Sequence, residues 1–280
     1  MIKRVPKEKV EAFNAVVSDL KEQVDAILKK AKKYESEGMR NNTVEGYYKR
    51  VVAANLYLDS VNLYCKMNDY SLQIKEVKSD LYLTNARKNV YQAIKLLESI
   101  VTGHVDLGLT ENADKLAALS ELTPPRLLHL FKKIEFSIAL VEMEEGENSK
   151  VKWNFVEMYG NLAVVMKNFI NFKVYAVAMN DPRQPYYQQI RELIQYCKEI
   201  LDKAAQKYRT KYELSTPQDS IDMNKAIGLM EALMKVHNIL GENEQMLEVK
   251  KTVEKWREKL ELDLKRREEE AKKKQREKSR

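Results

Sequence analysis

The sequence predicts an all-α protein: about nine long antiparallel helices stacked as an α-solenoid or open helical bundle, with a charged C-terminal helix protruding from the stack. Three observations carry this. Eight Gly and six Pro in 280 residues leave little turn or strand punctuation. Apolar residues recur at steps of three and four through most segments. The most apolar run, Trp153 to Met179, has charges only at Glu157, Lys167 and Lys173. A helix that is apolar nearly all round belongs in the middle of other helices.

The first helix starts at Pro6, a good first-turn residue, and carries the seam Val10, Phe13, Val17, Leu20, Val24, Ile27, Ala31, Tyr34. So narrow a seam suits packing along one or two partners, and Gly38 supplies a C-terminal stop. Asn42 and Thr43 offer a cap for a second helix to about Lys66. Asn68 and Asp69 then read as a turn into a third helix, whose seam shifts between Thr84 and Lys88, as for a helix that bends or meets two neighbours. Gly103 to Gly108 breaks the pattern, Thr110 caps a short helix to about Leu119, and Pro124-Pro125 opens another that Gly146 closes. The central helix follows from Asn148 or Ser149. Beyond the loop NDPRQP, one helix shows the seam Tyr187 to Tyr208, the next runs from Ser215, Thr216 and Pro217 to Gly241, and the last buries Met246, Val249, Val253, Trp256, Leu260 and Leu264.

At Leu264 the apolar edge stops, which divides the chain into a repeat-like helical domain, 1–264, and a mixed-charge tail, 265–280. The tail holds nine Lys or Arg against four Glu, so +5 of the net +7 lies there and the body is nearly neutral. Glu268, Glu269 and Glu270 precede Lys272, Lys273 and Lys274 by four residues, which supports a solvated helix that frays at Arg280.

Leu56 to Val77, with its LYCKMNDY turn, and Ala232 to Val253, with its HNILGENEQ turn, resemble the helix turns of tetratricopeptide-type repeats. The resemblance covers two of four hairpins, and no 34-residue period recurs. It implies an architecture only, a curved stack that binds other proteins, and no functional residue.

Chemistry is sparse. His104, His129 and His237 are scattered, Cys65 and Cys197 read as small buried apolar residues, and Gly103 and Gly108 have the separation of a phosphate loop but Leu109 where its Lys would stand. Glu142, Glu144, Glu145 and Glu147 read as a solvated acidic turn, and Gly160 and Gly228 as points of close helix contact. The run Leu162 to Met179 is interrupted by Lys167, Asn168, Asn171 and Lys173, which argues for a buried helix over a membrane span. Met1 to Arg4 leads into Pro6, Lys7, Glu8 and Lys9 with no apolar core, so the chain reads as cytoplasmic; an exported mature form without its leader would read the same.

The expectation is therefore a protein without enzymatic activity and without a cofactor or metal, an adaptor or scaffold that holds another protein in a helical groove. Fifteen tyrosines are the compositional oddity, and Tyr47, Tyr48, Tyr57, Tyr64, Tyr70, Tyr82 and Tyr91 of the first third are either packing edges or the lining of that groove. The alternative is binding of nucleic acid or an anionic membrane by Lys265, Arg266, Arg267, Lys272, Lys273, Lys274 and Arg276 of the tail. A third reading pairs the first and last helices between subunits as coiled coils.

Overall fold

The computed structural model describes residues 5–216 and 218–278, which excludes Met1 to Arg4, Pro217 and Arg280 of the expectations above. Among the described residues there are ten helices and no strand: α1 (Lys7–Met39), α2 (Val44–Lys75), α3 (Asp80–Val101), α4 (Ala113–Ala118), α5 (Pro124–Glu145), α6 (Lys152–Phe169), α7 (Phe172–Ala178), α8 (Tyr187–Leu214), α9 (Ser220–Ile239) and α10 (Asn243–Lys278). Neighbours in sequence pack on one another, α1 on α2 on α3 at one end and α8 on α9 on α10 at the other. In between, α5 lies against α2, α3 and α8, and α6 touches α3, α5, α8 and α9. The expected all-α stack is thus present. The seam of α1 is covered inside the chain, with Phe13, Val17, Val24 and Ala31 buried.

Besides the later starts of α4, α6 and α9, which follow Asn112, Val151 and Asp219, two boundaries differ from the sequence expectation. Asn68 and Asp69 do not turn the chain; α2 runs through them to Lys75 and ends at Glu76 in the left-handed conformation, φ 60°. The reason is burial. The Asn68 amide donates to Glu144 Oε2 at 2.7 Å and its oxygen accepts from the Ser79 amide at 2.8 Å, while Ser71 Oγ donates to the Val77 carbonyl at 2.7 Å. Residues that look like a turn in the sequence tie α2 to the connection after it and to α5. The seam shift near Thr84 disappears with this correction, because Ile74 belongs to α2 and Val77 to the connection.

The second difference is the central run, which divides at Ile170-Asn171 into α6 and α7 and so makes ten helices rather than nine. The α6 half is buried from Leu162 to Phe169 without interruption, as its composition demands, whereas Val174 and Val177 of α7 are exposed. The break is set by polar side chains that reach the carbonyls of the 102–113 segment. Lys167 Nζ donates to Leu107 O at 2.8 Å, Asn168 Nδ2 to Thr102 O at 2.9 Å and His104 O at 3.2 Å, and Asn171 Nδ2 to Ala113 O at 3.3 Å. Buried carbonyls need donors, and these three residues supply them.

The α1–α2 hairpin closes through glycines. A Cβ at Gly46 would stand 2.6 Å from Asn41 O, and one at Gly38 would stand 2.9 Å from Gly46 O. Gly38 therefore lies inside α1 as a crossing point, not as the stop expected of it. Arg50, 2% exposed, fills the space beside them. Its guanidinium donates to Gly38 O, Asn41 O, Asn42 Oδ1 and both Ser99 O and Oγ at 2.7 to 3.3 Å, which binds the hairpin to the end of α3 without a carboxylate.

No described helix is long and apolar enough to cross a membrane. The acidic turn is not simply solvated: Glu142 pairs with Lys207, Glu144 accepts from Asn68, and Glu145 faces Arg87 at 2.9 Å with 14% of its side chain exposed.

Two predictions follow from these buried cations. Arg50→Met deprives the carbonyls of their donors and lowers stability by about 3 kcal/mol, read as a fall in the denaturant midpoint at unchanged slope. Burial pushes the Lys167 ammonium down to about 8 from 10.5. Below pH 8 the buried charge is a full penalty, and between pH 8 and about 10.5 the unfolded chain holds the proton that the folded chain has released, so this group makes stability rise with pH. Relative to Lys167→Met, the wild type gains stability in denaturation series from pH 7.5 to 10; a constant difference is the contrary result.

Candidate functional site

The polar residues that interrupt apolar helices mark the site. On α6, Asn154, Glu157 and Asn161 stand at i, i+3 and i+7 and so share one face. On α3, Thr84, Lys88, Tyr91 and Gln92 do the same, and on α1 Lys32 and Glu35 are neighbours at i, i+3. The packing of α3 on α6 and of α1 on α2 brings these faces together around a groove of about 910 Å³. Tyr57 of α2 forms part of its floor, and Met158 is its one aliphatic lining residue.

The carboxylates of the groove are already engaged. Tyr57 Oη donates to Glu35 Oε2 and Gln92 Nε2 to Glu35 Oε1, each at 2.5 Å. Burial first, and the Glu35 carboxylate second, push the Tyr57 phenol well above its ordinary value. Glu157 accepts from Tyr208 Oη at 2.7 Å and pairs with Lys225 at 2.7 Å and Lys211 at 3.3 Å, while Lys211 also reaches Asp222 at 2.8 Å. Burial alone would raise the Glu157 carboxyl, but these donors outweigh it and hold it below the ordinary carboxylate value. The ring of Tyr208 lies against Gly160, where a Cβ would come within 2.5 Å of it, so the glycine admits the close contact expected there. Gly228 meets only Val105, at an ordinary 3.5 Å.

The remaining groups are donors without acceptors. Among the described residues, the ammoniums of Lys32 and Lys88 and the side-chain amides of Asn154 and Asn161 have no hydrogen-bond or ion-pair partner. Arg87 is turned to Glu145 and Thr84, and Asn89 donates to Ser60 Oγ at 2.7 Å. A second cleft of about 990 Å³ between α5, α6 and α8 has most of its cations engaged: Lys207 faces Glu142 at 3.1 Å, Lys203 faces Glu135 at 2.6 Å, and Lys152 lies over the Trp153 ring.

Of the seven tyrosines, two meet in the groove: Tyr57 on its floor and Tyr91, 42% exposed, at its edge. The other five pack. Tyr64 and Tyr82 are buried, with ring centroids 6.2 Å apart; Tyr47 lies under Arg50 and Lys115, Tyr48 Oη accepts from the Glu121 amide, and Tyr70 packs on the core. The four on α2 extend the core because α1, α3 and α5 pack on that helix, and Tyr82 of α3 joins them against Tyr64 and Phe13. Lys32, Lys88, Asn154 and Asn161 are absent from the sequence expectation; Asn154 and Asn161 carry a visible signal, a polar stripe inside the most apolar helix, whereas Lys32 and Lys88 are two lysines among many on charged faces.

The tail cations are likewise divided. Lys265 pairs with Glu261, Arg266 with Asp263, and Arg267 is held by Gln218 O at 2.6 Å, Gln218 Oε1 at 2.8 Å and Tyr212 Oη at 3.3 Å. The buried edge of α10 ends on Asp263, 8% exposed and bound by Tyr212 Oη at 2.9 Å, and Leu264 is 40% exposed instead of covered. Lys272 and Lys273 are exposed, and no ion pair joins them to Glu268 or Glu269 among the described residues. The side chains of Lys274 and Arg276 lie outside the described residues.

No group of three or more metal-ligating side chains gathers among the described residues. His104 and His129 are exposed, and His237 Nδ1 lies 2.6 Å from Glu242 Oε2. Cys65 and Cys197 are free and buried, and burial pushes both thiols up to about 12.

Fold and groove together define a stack of packed helices with a polar cleft on one side. A family model described as the TP0443 family matches residues 9–264, and the chain belongs to that family. No curated protein and no solved structure matches the sequence.

The Glu157 network joins α6, α8 and α9 beside the groove, so Glu157→Gln is expected to weaken that junction. Solvent screening of a carboxylate whose side chain is 36% exposed limits the loss to about 1 kcal/mol. Because the folded carboxyl is held low, its stabilisation is complete above the ordinary value of 4.5 and is lost as pH falls below it. Denaturation midpoints of wild type and variant should accordingly converge in acid.

Proposed function

We propose that this protein is a non-enzymatic interaction module that holds part of another protein in the groove between α1, α3 and α6. The observation that carries the reading is the set of unpartnered donors, Lys32, Lys88, Asn154 and Asn161, on converging faces of a cleft whose carboxylates are already bonded. Polar side chains presented from three rigid helices, with the exposed Tyr91 ring beside them, suit recognition, since helices hold such groups more precisely than loops do. The buried, unpaired thiols Cys65 and Cys197 favour a reducing compartment, the cytoplasm. Anion binding by the tail has weaker support, because Lys265, Arg266 and Arg267 are engaged with the chain itself.

The test is site-specific photo-crosslinking in cells with the photoreactive residue at Tyr91 or, as a control, at Val177, 73% exposed on α7. The expected outcome is a discrete adduct with another protein from position 91 and none from position 177. Adducts from both positions alike, or from neither, would overturn the proposal.

A further inference from the structure

Resting on the groove reading above, we infer that the segment the groove takes is an extended, acidic stretch of polypeptide. The argument concerns what remains unsatisfied. A helical ligand has its own main-chain groups bonded and is held by apolar side chains, so a groove built for one is lined with aliphatic and aromatic residues. Here Met158 is the one aliphatic lining residue and is buried, and the aromatic lining is confined to Tyr57, buried and bonded to Glu35, and Tyr91 at the edge. The side-chain amides of Asn154 and Asn161 on α6 each offer two donors and an acceptor, the complement of a main chain whose N–H and C=O groups are unpaired.

Charge then selects among extended chains. Lys32 on α1 and Lys88 on α3 line the groove and neither ammonium has an ion-pair partner; Glu35, one turn from Lys32, is bonded to Tyr57 and Gln92 instead. The two carboxylates in the lining are turned to other donors, Glu35 to Tyr57 and Gln92, Glu157 to Tyr208, Lys211 and Lys225. A bound segment gains by supplying carboxylates at the lysines, in charge-assisted hydrogen bonds stronger than neutral ones. A basic segment would meet the ammoniums unpaired. A nucleic-acid strand is disfavoured: its evenly spaced phosphates would pass Glu35 and Glu157 as well as the two lysines, and two free cations are few for such a chain.

The experiment selects phage-displayed random dodecapeptides on the immobilised full chain and repeats the binding on two variants, Lys32→Glu/Lys88→Glu and Asn154→Trp. All three side chains are exposed and unpartnered, so the variants keep the fold, which circular dichroism verifies. Asn154→Trp fills the groove without changing its charge. The expected result is peptides rich in Asp and Glu that bind about tenfold or more weakly to both variants and lose affinity with added salt. Peptides blocked by Asn154→Trp but free of acidic bias and indifferent to the lysine reversal would overturn this inference and leave the groove reading standing. Peptides that bind all three proteins equally would overturn the groove reading itself. A labelled short oligothymidylate that binds the wild type and is lost on lysine reversal would overturn the peptide in favour of nucleic acid.

Discussion

The structure depends on burying the C-terminal half of α6 on every side. Its residues from Leu162 to Phe169 are inaccessible, and it touches α3, α5, α8 and α9, more helices than a half-buried element can reach. Burial on that scale is favourable only if the polar groups at the end of the helix are matched, since an unpaired buried donor or acceptor costs on the order of 1 to 3 kcal/mol. Lys167, Asn168 and Asn171 meet most of that condition by donating to carbonyls between Thr102 and Ala113, with the Asn171 side-chain oxygen left unpaired. The same bonds stop the helix, so one constraint sets both where α6 ends and how the irregular 102–113 segment is held.

The α1–α2 hairpin shows a second form of the same rule. Arg50 is enclosed by carbonyls and an amide oxygen instead of a carboxylate, and its planar fork answers five acceptors from three parts of the chain. The glycines at 38 and 46 let the backbones approach closely enough for that enclosure. Because α1 packs along α2 and α2 along α3, the register of this hairpin also decides where Lys32 and Glu35 stand relative to Thr84 and Lys88. The groove is a product of that register.

The groove follows from a contrast within α6. Asn154, Glu157 and Asn161 lie toward its N-terminal end on a single face that lines the groove, with only Glu157 reached by α8, while the remaining faces are apolar and packed. Glu157 then connects the groove to the far end of the stack through Lys211 and Lys225. The tyrosines illustrate why composition misleads. Tyr64 and Tyr82 are buried with their rings packed on one another, because a phenol ring packs as an apolar group, whereas Tyr57 and Tyr91 reach the groove only because α1 and α6 leave that side of α2 and α3 open.

The amino-acid sequence by itself determined the helical class, the presence of most helices and the central place of α6, since periodicity and scarce Gly and Pro report local structure directly. The cap at Thr43, the first-turn proline at 124 and the positive-φ glycines at 146 and 241 were legible for the same reason. Only the tertiary structure decided that Asn68-Asp69 continues a helix and Ile170-Asn171 ends one, because each depends on a distant partner, Glu144 in the first case and the carbonyl of Ala113 in the second. It also decided which polar residues converge. Lys32, Lys88, Asn154 and Asn161 come from three helices far apart in sequence, and periodicity places a residue on a face of its own helix but does not say which face of another helix it will meet.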